Sequence, residues 1–297
     1  MIISKISGGL GNQMFQYAAS LALAKKIKTQ LLLDITEYKG YKLHNGFEIF
    51  SVFDKPYNVD FADQKVIRKV LGFQSNPIIG KVIKRYHLDF IRNKKWIIEP
   101  SLGYWSGFEF LCENQLYLDG YWQSEKYFKN QETLIRESLK FNGNLGNDNE
   151  ELLKLAEERT LVSLHVRRGD YTSATNQSIH GVCSLDYYGK AIKYITEKIK
   201  NPFFIIFSDD IDWVQANLSI PFHHEYAVFN KGTDSYKDMW MMSLCDHNII
   251  ANSSFSWWGA WLNNNPNKIV VSPKIWFASA SLQEQAYSLY CDNWIKL

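Results

Sequence analysis

The chain has 297 residues, 46% hydrophobic and 22% charged, the make-up of a globular protein with room for two domains. Its 33 Lys and Arg nearly balance 31 Asp and Glu, and a net charge of +2 argues against a dedicated nucleic-acid binder. Ten Trp, 17 Tyr and 18 Phe exceed what a core of this size needs, and such rings suit sites for flat or amphipathic ligands.

The first five residues lead directly into an apolar run at 2–6, expected as a buried strand with no signal-peptide pattern before it. The turn Gly8-Gly9-Leu10-Gly11-Asn12 follows, then a helical spacing over 13–27 and a second strand at 31–34. Strand, glycine turn, helix and strand open a parallel α/β unit. From 37 to 142 the pattern is less regular, rich in aromatics and short helical stretches. The Gly/Asn/Asp-rich segment 145–151 reads as a linker. Beyond it, strands are expected at 161–166, 203–207, 226–229, 248–251 and 268–271. Helices at 185–200, 210–218, 236–245 and 255–263 alternate with them, which predicts a doubly wound parallel sheet. Cys112, Cys183, Cys245 and Cys291 show no metal-ligand spacing, so a reducing compartment is expected rather than a disulfide framework. No apolar run approaches the roughly 20 residues that span a bilayer.

In such sheets ligands sit at the carboxyl ends of the strands, so the residues after each strand carry the chemistry. After 161–166, which contains His165, comes Arg167-Arg168-Gly169-Asp170-Tyr171. Two guanidinium groups there suit a diphosphate, while a solvated arginine pair countered by Asp170 remains the alternative. After 203–207 comes Ser208-Asp209-Asp210-Ile211-Asp212. Its carboxylates suit a base or ribose edge, an Asp-x-Asp metal site, or plain capping of the next helix. After 248–251 comes Asn252-Ser253-Ser254-Phe255-Ser256-Trp257-Trp258-Gly259, a capped helix start whose N–H groups also suit a phosphate oxygen. Trp257, Trp258 and Trp261 are expected to pack. The N-terminal turn lacks the third glycine of the dinucleotide fingerprint, which argues against a nicotinamide enzyme.

Together these blocks, with Gly120-Tyr121-Trp122-Gln123-Ser124-Glu125-Lys126-Tyr127-Phe128, resemble the bacterial α-1,2-fucosyltransferases of glycosyltransferase family 11. The resemblance implies a GT-B fold, two Rossmann-like domains facing each other across a cleft. Residues 1–145 would form the acceptor side and 152–297 the GDP-fucose-binding domain. It implies inverting transfer of L-fucose from GDP-β-L-fucose to the 2-hydroxyl of a galactose, with no cofactor and no required metal. The related α-1,6- and protein O-fucosyltransferases share several blocks. By that likeness Arg167, with Arg168 beside it, contacts the diphosphate, and His165 and Asp209 hold guanine. Ser253, Ser254, Phe255 and Ser256 hold phosphate oxygens, and Asn12 makes a catalytic-site hydrogen bond. Asp170 is the candidate base because it lies in the arginine loop; the position suspected as base in the α-1,6 enzymes falls on Thr175.

The acceptor side is assigned to the aromatic first half, where Tyr121 and Trp122 would stack on sugar faces or pack. The expected partners are GDP-fucose and a galactose-containing oligosaccharide or lipid-linked glycan, with no nucleic acid. Another linkage, or a non-catalytic nucleotide-sugar-binding or glycan-binding protein, are the rival readings. The expected location is the cytoplasm. There the cation-rich segment 81–95, interleaved with Ile83, Tyr86, Phe90 and Ile91, reads either as a solvated basic face beside a core-facing stripe or as a surface that touches the inner face of the bacterial membrane.

Overall fold

A computed structural model describes residues 1–40, 45–54, 58–155, 158–172 and 174–297, without the side chains at 170, 172 and 174–176. It divides into two compact units, Met1–Asn142 and Gly143–Leu297.

The first unit carries strands β1 (Ile2–Lys5), β2 (Leu31–Asp34), β3 (Val59–Phe61), β4 (Trp96–Ile98) and β5 (Leu116–Asp119). They form one parallel sheet in the order β3-β2-β1-β5-β4. The central strands are short apolar runs buried on both faces, as parallel sheets require. The helix Leu10–Lys26 starts three residues before the expected 13 and is buried along most of its length. Its alanines at 18, 19, 22 and 24 have no bulk to hold it off the sheet. Strand order reverses at β1, with β2 on one side and β5 on the other.

The second unit carries β6 (Thr160–Val166), β7 (Pro202–Ser208), β8 (His223–Tyr226), β9 (His247–Ile249), β10 (Val270–Ser272) and β11 (Ile295–Lys296). The sheet is again parallel, in the order β11-β10-β9-β6-β7-β8. Helices Leu185–Thr196, Ile211–Asn217, Tyr236–Leu244 and Ser254–Leu262 alternate with the strands. The tryptophans of the last of these are buried, with Trp257 and Trp261 stacked at 6.3 Å, so they pack as expected.

Two expectations are corrected. The strand expected at 226–229 is His223–Tyr226, an edge strand whose polar sequence alternates between exposed and half-buried. The apolar Val228 and Phe229 lie beyond it, exposed. The stretch 145–151 is no linker. Most of it folds into the helix Asn147–Lys154, and Leu145 and Leu152 join a core with Phe203, Ile205 and Met241. Gly146 supplies a positive φ of 95° before that helix, and Asp148 and Glu150 sit in its first turn where the dipole favours acids. The composition that suggested a linker is therefore a turn plus a helix start. Strand β11, two residues long, was not expected.

No disulfide joins the cysteines among the described residues. No described helix is long and apolar enough to cross a membrane.

Candidate active site

In the second unit three adjacent strands, β9, β6 and β7, release the three blocks singled out from sequence. Strand order reverses at β6, since β7 and β8 run to one side and β9 to β11 to the other. The crevice between β6 and β9 is the position where open parallel sheets bind ligands. The Arg167 loop borders it on one side and the start of helix Ser254–Leu262 on the other.

The two arginines differ in their attachments. Arg168 donates from Nε to Asp210 Oδ2 at 3.2 Å, and its guanidinium lies 3.6 Å over the Trp213 ring. A stacked, paired guanidinium of this kind braces the loop against the helix after β7. Arg167 is held by Asp209, with Nη1 to Oδ2 at 3.0 Å, and lies 5.5 Å from the Tyr171 ring. About a quarter of its side chain stays exposed. Asp209 also accepts the Arg168 backbone N–H at 2.8 Å on its other oxygen. Expected from the resemblance to face guanine, Asp209 here spends both oxygens on the arginine loop. Gly169 leaves the Asp209 carboxylate in place, because a methyl there would stand 2.9 Å from Asp209 Cγ and force the carboxylate to shift.

Asp210 caps the helix Ile211–Asn217 by accepting the Trp213 N–H at 3.3 Å, so the capping alternative for this carboxylate is the one observed. With its second oxygen on Arg168, an Asp-x-Asp metal site at 210–212 has no unengaged Asp210 oxygen. His165 is buried at the end of β6, 6.0 Å from the Phe255 ring, and its Nδ1 has no hydrogen-bond partner among the described residues. Burial, and secondarily the Arg167 charge, push its pKa down to about 3, so the imidazole is neutral.

Ser253 caps the helix Ser254–Leu262, its Oγ accepting the Phe255 N–H at 3.3 Å. Ser256 is buried and donates to the Ser253 carbonyl at 3.5 Å. Ser254 and Phe255 are half-buried. Asn252, buried, donates to the carbonyls of His180, Gly181 and Trp276 at 3.0–3.3 Å and so staples the helix start to two other segments. Tyr171 adds a link, its hydroxyl donating to the Asn252 carbonyl at 3.4 Å while its ring stacks on His180 at 4.8 Å. Both residues stood inside the quoted blocks, but neither was named among the donor-binding residues. The side chain of Asp170 and that of Thr175 lie outside the described residues.

The first unit has its own reversal point between β1 and β5, and there the glycine turn and the Gly120 block meet. Asn12 Oδ1 accepts a hydrogen bond from Gln123 Nε2 at 2.7 Å. Gln13 fixes the turn by donating to the carbonyls of Gly8 and Gly46 and accepting the Glu48 N–H. Gly8 has φ 77°, and a Cβ there would stand 2.8 Å from Asn12 Nδ2, so both backbone and space demand glycine.

Glu99, just after β4, accepts the N–H groups of Tyr121 at 2.6 Å and Trp122 at 3.0 Å. This carboxylate stabilises a left-handed Trp122, φ 54°. Burial raises the Glu99 pKa to about 7 against the lowering effect of those two donors. Glu99 and Gln123 were not candidates from sequence. Gln123 stood inside the quoted block, and Glu99 follows a strand end, the signal that could have found it.

Trp122 does not offer a face to a sugar. It is fully buried, edge-on to Tyr127 at 5.4 Å and tilted on Phe108 at 5.1 Å, so the expected stacking role is corrected to packing. Tyr121 remains 45% exposed.

Residues 58–297 match Glycosyl transferase family 11. An alpha-1,2-colitosyltransferase of Escherichia coli is 34% identical over 303 aligned positions, covering all of this chain and 99% of the relative. Galactoside alpha-(1,2)-fucosyltransferase 1 of Saimiri boliviensis boliviensis is 26% identical over 86% of this chain and 63% of its own length. Among solved structures, the NodZ alpha-1,6-fucosyltransferase of Bradyrhizobium, co-crystallized with GDP, superposes with a TM-score of 0.54 at 16% identity. That superposition covers 87% of this chain and 90% of NodZ. The fold is of the GT-B-like α/β class, and the chain belongs to glycosyl transferase family 11 and is a glycosyltransferase.

Proposed function

We propose that this enzyme transfers L-fucose from GDP-β-L-fucose to the 2-hydroxyl of a galactose in a glycan, with inversion, giving an α-1,2 linkage. The observation that carries the reading is the Arg167 guanidinium, held 3.0 Å from Asp209 at the end of β6 and bordering the reversal point beside the β9 helix start.

The charge that develops explains the arrangement. Opening the bond from C1 of fucose to the β-phosphate oxygen leaves an extra negative charge on GDP and oxocarbenium character on the sugar. Arg167 and the N–H groups of Ser254 and Ser256 would meet that charge as it forms, already oriented by Asp209 and by the Ser253 cap. Preorganised donors of this kind are worth about 10²–10³ in rate each. Arg168, stacked on Trp213, would hold the loop backbone rather than reach the diphosphate. With arginine in the role that a divalent ion plays elsewhere, the reaction would need no metal, and full activity in excess EDTA is the expected result.

In the first unit, Asn12 would hydrogen-bond the reacting sugars through its amide N–H, its carbonyl oxygen being taken by Gln123. The acceptor hydroxyl must lose a proton, and Asp170 is proposed as the group that takes it. His165 is enclosed and keeps its neutral form far below physiological pH, so it is not that base.

A second reading, a colitosyl donor with the same linkage, is favoured by the 34% identity to the alpha-1,2-colitosyltransferase over the full chain. Incubating the enzyme with GDP-fucose or GDP-colitose and a panel of galactosides, with linkage analysis of product, separates the two. Fucosylation at O2 of galactose supports the leading reading. Turnover with GDP-colitose alone selects the second, and an absence of GDP release with either donor refutes both.

A further inference from the structure

Charge in this chain is unevenly placed. Between residues 64 and 98 there are nine Lys and Arg against one acid, Asp89, while the remaining residues carry 24 cations and 30 acids. One segment of net +8 thus sits in a protein that is otherwise −6.

The helix Pro77–Arg85 lies at the centre of this segment, opened by Pro77 and by Asn76, whose side chain accepts the Ile78 N–H at 2.9 Å. One face is pinned to the core. Gly80 is buried, with Trp96 near enough that an added Cβ would meet its ring at 3.3 Å, and Ile83 packs with Trp96 and Tyr117. The expectation that Ile83 touches a membrane is therefore corrected. Ile78, Val82 and Tyr86, spaced i, i+4 and i+8, form a stripe along the opposite face and are 74%, 43% and 63% exposed.

Phe73 before the helix and Phe90 after it are 65% and 85% exposed. With Ile91, the segment 73–91 holds six of the 17 exposed large apolar side chains described in the whole chain. Lys81 and Arg85 sit beside the stripe, exposed. Lys84 and Arg92 are paired with Asp119 and Asp89.

We propose that this face seats the protein on an anionic lipid bilayer, with Phe73, Ile78, Val82, Tyr86 and Phe90 entering the headgroup boundary and Lys81 and Arg85 meeting lipid phosphates. The inference stands apart from the donor and acceptor chemistry. A nine-residue helix is far too short to span, so it lies in the plane of the surface, and basic side chains bury their stems while keeping their charges at headgroup level. A second copy of this chain is a poor occupant, because a self-complementary contact would set net +8 against net +8.

The test is flotation of the full-length protein with vesicles of phosphatidylcholine alone or with 30% phosphatidylglycerol, at low and at high salt. The expected result is binding only to the anionic vesicles, weakening as salt rises. The double variants Ile78→Glu/Phe90→Glu and Lys81→Glu/Arg85→Glu should each lower partitioning at least tenfold, with GDP binding unchanged. The salt series on the unaltered protein reads the proposal independently of how any variant folds. Absence of flotation, equal flotation on both vesicle types, or variants that float like the parent would overturn it. So would variants that instead dissociate an oligomer in solution.

Discussion

Replacing Gly169 by alanine adds one methyl where the structure has no room for it. That carbon would stand 2.9 Å from Asp209 Cγ and nearer to Oδ2, whereas relaxed contacts need roughly 3.5 Å. Relief requires the carboxylate to retreat by about 1 Å. Such a retreat stretches the 3.0 Å Arg167 ion pair towards 4 Å, or breaks the 2.8 Å bond from the Arg168 N–H, or both. A part-exposed ion pair contributes about 1 kcal/mol and a hydrogen bond to a charged group about 1.5–3 kcal/mol. Losing 1–2 kcal/mol of bias towards the binding-competent guanidinium lowers its population, and apparent GDP affinity falls with that population, by at most roughly 5- to 30-fold.

Fold stability should drop less, because alanine also loses less backbone entropy than glycine on folding, worth about 0.4–1 kcal/mol. Calorimetric titration with GDP, beside a thermal melt, reads both quantities. An alanine variant that binds GDP as tightly as the parent would refute the claim that Asp209 positions Arg167 for the diphosphate.

Three further outcomes follow from the same geometry. His165 has its pKa pushed down to about 3 by burial, so the unfolded chain binds its proton first as pH falls through 6.5. Stability is then lost from pH 6.5 towards 3, by at most about 5 kcal/mol from this group, and His165→Leu should flatten that part of the urea-melt series. Parallel curves for parent and variant would contradict the enclosed, neutral ring. Glu99, raised to about 7, holds its proton better folded than unfolded, so its contribution is full below pH 4.5 and is lost as pH rises through 7. The size is at most about 3 kcal/mol, and Glu99→Gln should remove this slope in the same melts. Gln123→Ala deletes the bond that orients Asn12 and should lower kcat roughly tenfold with KM little changed, on steady-state assay with GDP-fucose. An unchanged kcat would remove Asn12 from the reaction.

The parts of the fold visible in sequence are those whose cause is local. Strand β7 is a nearly unbroken apolar run and β6 a buried one interrupted by Ser163 and His165, because both faces are covered, and their ends, with the arginine and aspartate blocks, could be read directly. Strand β8 could not. His223-His224-Glu225-Tyr226 lies at a sheet edge, so no apolar run marks it, and the apolar residues just beyond it drew the expectation off by three positions. Trp122 shows a second limit, since composition alone does not distinguish a ring that stacks on a ligand from one enclosed by Phe108 and Tyr127. Within the site, residue types disclosed the arginine cradle but not its division of labour. Arg168 became a brace because Trp213 lies under it, a contact across 45 positions that spacing does not encode. Glu99 is equally remote, reaching Tyr121 and Trp122 from the neighbouring strand.

The central claim is that the Arg167 guanidinium binds the diphosphate and stabilises its charge as the glycosidic bond opens. Titrating GDP into Arg167→Ala by calorimetry, with circular dichroism to verify the fold, tests it directly. Loss of charge-assisted contacts worth about 1.5–3 kcal/mol predicts binding weaker by one to two orders of magnitude, with Arg167→Lys restoring only part. A folded Arg167→Ala protein that takes up GDP with the parent's affinity and enthalpy would contradict the account.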